Sequence, residues 1–181
     1  MNEKLFALYL GGRAPGSNIE LHDVVFVTGK KIEDTYTQIL DKWFGPADKV
    51  HIDSWMELDV IDGYRVTLSH KPYEGPEKLY FINLGAYRPG EFTEHHAITF
   101  LVAKTPEEVK KRAKAQLLKG YDSVHKDDLY AIDDCLEIKK TNSYYVHLTP
   151  CDQKANLVPN NGYYVLPRKI VKEYIENTVS Q

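Results

Sequence analysis

The sequence predicts an α+β protein: two tandem strand-strand-helix-strand-strand repeats related by pseudo-twofold symmetry, an antiparallel sheet with helices on one face, and a C-terminal helix. Three observations carry this expectation. The segment LGGRAPGSNIELHDVVF at 10–26 returns as LGAYRPGEFTEHHAITF at 84–100. Leu10/Leu84, Gly11/Gly85, Pro15/Pro89, Gly16/Gly90, Glu20/Glu94, His22/His96 and Phe26/Phe100 all share an offset of 74. After each copy the apolar period changes from that of a strand to that of a helix. Strong turn signals then follow: Asp62-Gly63 in the first copy, Thr141-Asn142-Ser143 in the second.

In chain order, residues 4–10 are short, apolar and aromatic, and they end at Gly11-Gly12, as a strand does. In the following loop Pro15-Gly16 suits a type II turn, proline presetting the first central φ and glycine allowing a positive second. Residues 19–28 read as a strand antiparallel to the first. Ile32, Tyr36, Ile39, Leu40, Trp43 and Phe44 then recur at helical spacing, with Glu33 and Asp34 in the first turn and Gly45-Pro46 as the stop. Residues 50–60 and 64–68 read as a strand pair. A linker, SHKPYEGPEK at 69–78, separates the copies.

The second copy repeats the order: strands at 79–84 and 98–103, then a helix opened by Thr105-Pro106-Glu107-Glu108 and running to Lys119-Gly120. VHKD at 124–127 matches VHID at 50–53, again at an offset of 74. Residues 129–138 and 144–148 complete it. Beyond that, 149–162 is loop-like, 163–166 a short strand and 167–177 a helix. The domains expected are 1–70, 79–149 and an extension, 150–181, packing on the repeats. A unit of about 65 residues buries only a marginal core alone, so the copies are expected to share one.

Composition bounds the function. Hydrophobic residues at 43% and charged residues at 27% are those of a globular protein. A net charge of -3 gives no electrostatic case for nucleic acid. Two cysteines, Cys135 and Cys151, with no CxxC, make neither a disulfide framework nor a zinc ribbon and fit a cytoplasmic location. The apolar run at the N-terminus is too short for a signal peptide, and no stretch reaches the roughly 18 apolar residues of a membrane helix.

The run GGRAPGSNIELHDVVF, followed by VHIDSW and VIDGY, resembles the "domain of unknown function 1543" family of small bacterial proteins. The first copy carries the resemblance at Gly11, Pro15, Gly16, Glu20, His22, Asp23, Phe26, Trp43, His51, Asp53, Trp55, Gly63 and Tyr64. The second departs from it, with Ala97 for Asp23, Leu129 for Trp55 and Lys119 for Gly45. The resemblance implies a tandem architecture and no activity. It also implies that a site needing that Asp and Trp belongs to the first copy.

The candidate polar site is Glu20, His22, His51, Asp53, Glu94, His96, His125 and Asp127. Residues two apart on a strand share a face, so Glu20 with His22 and Glu94 with His96 can act as metal ligands or as a base with its orienting acid. With a twofold axis between them, the two pairs would converge on one zinc or other divalent ion. No cofactor is otherwise expected. His51-Asp53 and His125-Asp127 repeat the geometry. If both motifs of one copy meet, Glu20, His22, His51 and Asp53 form a mononuclear metal or acid–base cluster. Against chemistry stands the repetition itself: retention in both copies suits residues that brace the Pro-Gly loop.

Arg13 and Arg88 are candidates for anion contact. The loop at 11–17 lacks the lysine and following helix of a phosphate loop. The basic helix near 107–119 reads as a solvated face. The tyrosines Tyr144, Tyr145, Tyr163 and Tyr164 would form an interface if exposed. The function expected is thus a non-enzymatic binding or protein-interaction module, with an unknown protein or small ligand as partner, neither nucleic acid nor membrane, and room for a homo-oligomer. The alternative is a small metal-assisted hydrolase using the Glu-x-His pairs.

Overall fold

The computed structural model describes residues 2–87, 90–117 and 132–179. The chain divides into two compact units that do not follow the copy boundaries. The first comprises Met1–Asp59, Thr141–Tyr144 and Asn156–Gln181; the second comprises Val60–Lys140 and Tyr145–Ala155. Its elements are β1 (Lys4–Gly12), β2 (Leu21–Gly29), α1 (Tyr36–Lys42), β3 (Val50–Glu57), β4 (Val60–Ile61), β5 (Tyr64–Ser69) and β6 (Lys78–Ala86), and they continue as β7 (His95–Ala103), α2 (Pro106–Leu117), β8 (Ile132–Glu137), β9 (Lys140–Thr141), β10 (Tyr144–Pro150), β11 (Asn160–Val165) and α3 (Arg168–Val179). The fold is mixed α and β with antiparallel sheets, and the described strands fall into three of them: β11-β3-β1-β2, β4-β5-β10-β9 and β7-β6-β8. No helix among the described residues is long and apolar enough to cross a membrane.

In the first unit β1 lies inside its sheet and is buried on both faces; from Leu5 to Gly12 only Tyr9 is exposed. Phe6, Leu8 and Leu10 point to one face, where Val25, Val27, Val50 and Ile52 from the neighbouring strands join them. Ile39, Leu40 and Trp43 cover that face, as the helical spacing requires. The last buried member is Leu166, and Ile170, Val171 and Tyr174 of α3 pack beside it. From Asn156 on, the C-terminal extension is therefore built into the first unit: β11 adds a strand to β3, and α3 adds a second helix to the same core.

The helix expected over 32–44 is shorter. A 3-10 turn, Ile32–Thr35, precedes α1, because Asp34 accepts from the backbone N–H of both Lys30 and Lys31 and Thr35 Oγ1 donates to the Ile32 carbonyl. Trp43 ends α1 in extended backbone, so Phe44 leaves the apolar stripe and is exposed. The second strand starts at Leu21, leaving Ile19 in the loop and exposed. The turn at Ala14–Ser17 forms as expected, with Gly16 at φ +84° and the Ser17 N–H donating to the Ala14 carbonyl at 3.1 Å.

In the second unit α2 buries Val109 and Ala113 against Tyr80, Ile82, Leu84, Leu101 and Ala103. The later strands of the two copies pair with each other: β10 runs antiparallel to β5 from Tyr145↔Ser69 to Pro150↔Tyr64. Each hairpin tip carries a residue in left-handed backbone, Asp62 at φ +55° and Asn142 at +52°, a conformation that short polar side chains tolerate. Asp62 accepts from the Val102 N–H at 3.1 Å and pairs with Arg112 at 2.5 Å, all within the second unit. Thr141 Oγ1 donates to the Phe26 carbonyl at 2.8 Å, and Asn142 bonds Thr28 and Gln38, all within the first. Each copy thus contributes its hairpin tip to the unit built on the other copy's first strands.

The registers correct the repeat arithmetic. Leu10 faces Ile52 and Leu84 faces Ile132; Phe6 faces Glu57 and Tyr80 faces Glu137. The offset is 74 on β6 but 80 on β8. The cause is six further residues between β7 and β8 that have no counterpart between β2 and β3. The position equivalent to Trp55 is therefore Cys135, where Leu129 was expected: Trp55 faces Leu8, and Cys135 faces Ile82. VHKD at 124–127, with His125 and Asp127, lies outside the described residues, as do Arg88, Pro89, Lys119, Gly120 and Leu129.

Candidate functional site

The sheet face opposite α1 carries the polar residues at its glycine end. Gly11 of β1 pairs with His22 on β2 and with His51 on β3. Two imidazoles therefore flank a residue with no side chain, and His51 together with Asp53 fills the space it leaves. A Cβ on Gly11 would lie 2.5 Å from His51 Nε2 and 2.6 Å from Asp53 Oδ2. Gly12 does the same on the other face, where a Cβ would lie 2.7 Å from the Trp43 ring. The double glycine lets a polar cluster and the apolar core approach one strand from its two sides.

A bulge places Asp53. Tyr9 pairs with Ser54 and Leu10 with Ile52, leaving Asp53 as the extra residue of β3. Its carboxylate turns toward both imidazoles: Oδ1 is 3.1 Å from His51 Nε2, and Oδ2 is 3.4 Å from His22 Nε2. Glu20, the last loop residue before β2, closes the other side, with Oε1 3.4 Å from His51 Nε2 and Oε2 3.9 Å from His22 Nε2. The four side chains form a ring in which imidazole and carboxylate alternate.

The ring is graded in exposure. The His51 side chain is 5% exposed, Asp53 27%, His22 37% and Glu20 43%. His51 Nε2 and Asp53 Oδ2 are buried without a hydrogen-bond partner, and the 3.1 Å approach of His51 to Asp53 lacks hydrogen-bond alignment. Two aromatic rings hold the imidazoles in place. Tyr9 stacks on His22 with centroids 5.2 Å apart and planes 13° apart. Tyr163, from a bulged position on β11, lies 4.3 Å from His51. Burial first, and then the negative charge of Asp53, raise the Tyr9 pKa above 10.0, so its hydroxyl keeps its proton at neutral pH.

The first-copy motifs thus meet, and the second-copy pair has different company. His96 Nε2 lies 3.7 Å from Glu94, and His96 Nδ1 lies 3.4 Å from Asn83, the residue at the position of Tyr9. His95 pairs with Glu91. The bulged position of β8 is Asp133, and the residues just before Ile132 lie outside the described ones. The ligand set Glu20, His22, Glu94 and His96 is split between the two compact units. Arg13 is exposed and makes no ion pair among the described residues. Tyr9 and Tyr163 are the site residues that sequence reasoning does not reach. Tyr9 had a signal, two positions before Gly11 on the same strand face; Tyr163 had none, because only the tail's pairing with β3 brings it there.

Comparison with known proteins gives the chain a family. The Domain of Unknown Function (DUF1543) matches residues 17–68 and 91–141. The first match contains all four members of the ring. The crystal structure of a protein Il1583 from Idiomarina loihiensis is similar, with 38% identity and a TM-score of 0.74, covering 92% of this chain and 99% of that one. No curated protein matches. The chain belongs to the Domain of Unknown Function (DUF1543) family, as a member with two copies of the domain.

Proposed function

We propose that the protein is a small hydrolytic enzyme whose reactive centre is the first-copy ring of Glu20, His22, His51 and Asp53. The supporting observation is the convergence itself: each imidazole Nε2 lies within 3.1–3.9 Å of both carboxylates, and one imidazole is reachable from solvent. In this reading His22 takes a proton from a water whose oxygen attacks a carbonyl or phosphoryl centre. Asp53 and Glu20 stabilise the imidazolium that forms, and His22 returns the proton to the leaving group. Tyr9 holds the ring plane of His22. The second copy, with Asn83 beside Glu94 and His96, is the structural copy.

The test is a panel of chromogenic carboxylic and phosphoric esters with the full chain. His22→Ala is expected to lower kcat/KM for a turned-over ester about 10²- to 10⁴-fold, the range of a lost general base, at an unchanged unfolding midpoint. Undiminished turnover by that variant would overturn the reading, and so would silence across the whole panel.

A second reading, an interaction module, has its own support. Tyr163, Tyr164 and Val165 are 70%, 43% and 64% exposed on β11, the edge of its sheet, where unpaired backbone groups offer a template for another strand.

A further inference from the structure

We infer that the same ring binds one divalent transition-metal ion of the zinc class, through His22 Nε2, His51 Nε2, Glu20 and Asp53. This rests on the same four residues as the hydrolytic reading and goes beyond it, since a His22 Nε2 that ligates an ion cannot also take a proton; it is argued separately, from geometry and from unmet bonding. Two imidazole nitrogens and two carboxylates are a donor set that zinc accepts. In a tetrahedral site with bonds of about 2.0–2.1 Å, neighbouring donor atoms lie about 3.3–3.4 Å apart. The N···O separations around the ring are 3.1, 3.4, 3.4 and 3.9 Å, each imidazole facing a different oxygen of Asp53 and of Glu20, so one oxygen of each carboxylate has to turn inward to become a shared donor.

The second strand of the argument is His51. Its side chain is 95% buried, and its Nε2 points into the ring with no hydrogen-bond partner. Asp53 Oδ2 faces the same space, also unpartnered. Buried polar atoms are satisfied as a rule, and a nitrogen lone pair and a carboxylate oxygen turned toward one point are what a cation would satisfy. The Gly11 gap, which brings both atoms close to the β1 backbone, serves this convergence and has no role in the apolar core.

The side chains are not preset at coordination distance: no group of three or more His, Cys, Asp or Glu among the described residues is drawn together that far. The long edge belongs to Glu20, the most exposed member, on a loop end, and a turn of that carboxylate shortens it without by itself completing the site. His51 and Asp53 form the fixed half of the site, and His22 and Glu20 the half open to an arriving ion. The ligand set is thus internal to the first copy and excludes Glu94 and His96.

The experiment uses full-length protein without a histidine tag, stripped with EDTA, desalted, and titrated with zinc chloride by calorimetry. Cobalt(II) absorption serves as an independent readout of coordination. One ion per chain is expected. His22→Ala and Asp53→Asn should each weaken binding about tenfold or more, and His96→Ala should leave it unchanged. His22 is partly exposed, so its loss spares the core. No binding, binding undiminished in both ring variants, or binding lost in His96→Ala overturns the inference. The two readings fail separately. Ester turnover by stripped protein that binds no zinc removes the metal and leaves the acid–base centre. Stoichiometric zinc with no turnover removes the enzyme and leaves the metal site.

Discussion

Replacing Gly11 with alanine is expected to destroy the site and to destabilise the first unit. The added Cβ would sit 2.5 Å from His51 Nε2 and 2.6 Å from Asp53 Oδ2, closer than real contacts allow. Neither neighbour has an easy escape. The His51 imidazole is buried beside Tyr163, and Asp53 is fixed by a bulge whose flanking residues are paired to β1. The methyl group is thus bound to push one of them out of the ring. Overpacking of this kind costs about 1–3 kcal/mol, and the change should appear as a lower unfolding midpoint in urea. Ester turnover and zinc binding should fall together, at least as far as in His22→Ala. An alanine variant with wild-type stability and an intact site would show that the gap over Gly11 is not what admits the ring.

Leu166→Ala is expected to cost about 2–5 kcal/mol, the range for a fully buried leucine whose cavity does not collapse. Leu166 is 2% exposed and, among the described residues, is the one buried member of the first core contributed by the C-terminal extension. Its neighbour Val165 pairs with His51, so the loss also loosens the strand that presents Tyr163. Ile175→Ala, at a side chain already 38% exposed on α3, should stay within about 0.5 kcal/mol. Chemical denaturation of the two variants checks the contrast. Equal effects would mean that α3, and not the Leu166 contact, carries the tail's contribution.

How much of this was legible in the sequence depends on the range of the interaction involved. Local chemistry read well. Pro15-Gly16 and the stripe Ile39, Leu40 and Trp43 each depend on residues a few positions apart and form the turn and buried face expected; at Asp62-Gly63 the turn forms, but of the strand expected over 50–60 only Val60–Ile61 pairs across it with β5, while Val50–Glu57 pairs with β1. The helix ends failed by a few residues because Asp34 and Thr35 divert the first turn through side-chain bonds that a periodicity does not register.

Pairing was the harder part. The match of VHKD with VHID is good as text, but strand register answers to which residues face β6, and there Ile132 and Asp134 hold the positions of Ile52 and Ser54. The exchanged hairpin tips and the strand given by the tail are also long-range choices. No local spacing encodes that Thr141 reaches Phe26, or that Tyr163 covers His51. Of the site, the two i, i+2 pairs of the first copy were visible, and so was the cluster they form if they meet; the bulge that turns Asp53 toward both imidazoles was not. The repeated Glu-x-His pair is present in both copies, whereas the ring also takes in His51 and Asp53 from β3.

The account stands on His22 and His51 sharing the carboxylates of Asp53 and Glu20 in one cluster. The most direct measurement is the side-chain ¹⁵N NMR spectrum of the seven histidines in the full chain, compared with Asp53→Asn and Glu94→Gln. The account predicts that Asp53→Asn displaces the Nε2 resonances of both His22 and His51 and leaves His96 in place, and that Glu94→Gln does the reverse. Displacement of His51 alone by Asp53→Asn, or of His22 by Glu94→Gln, would contradict it.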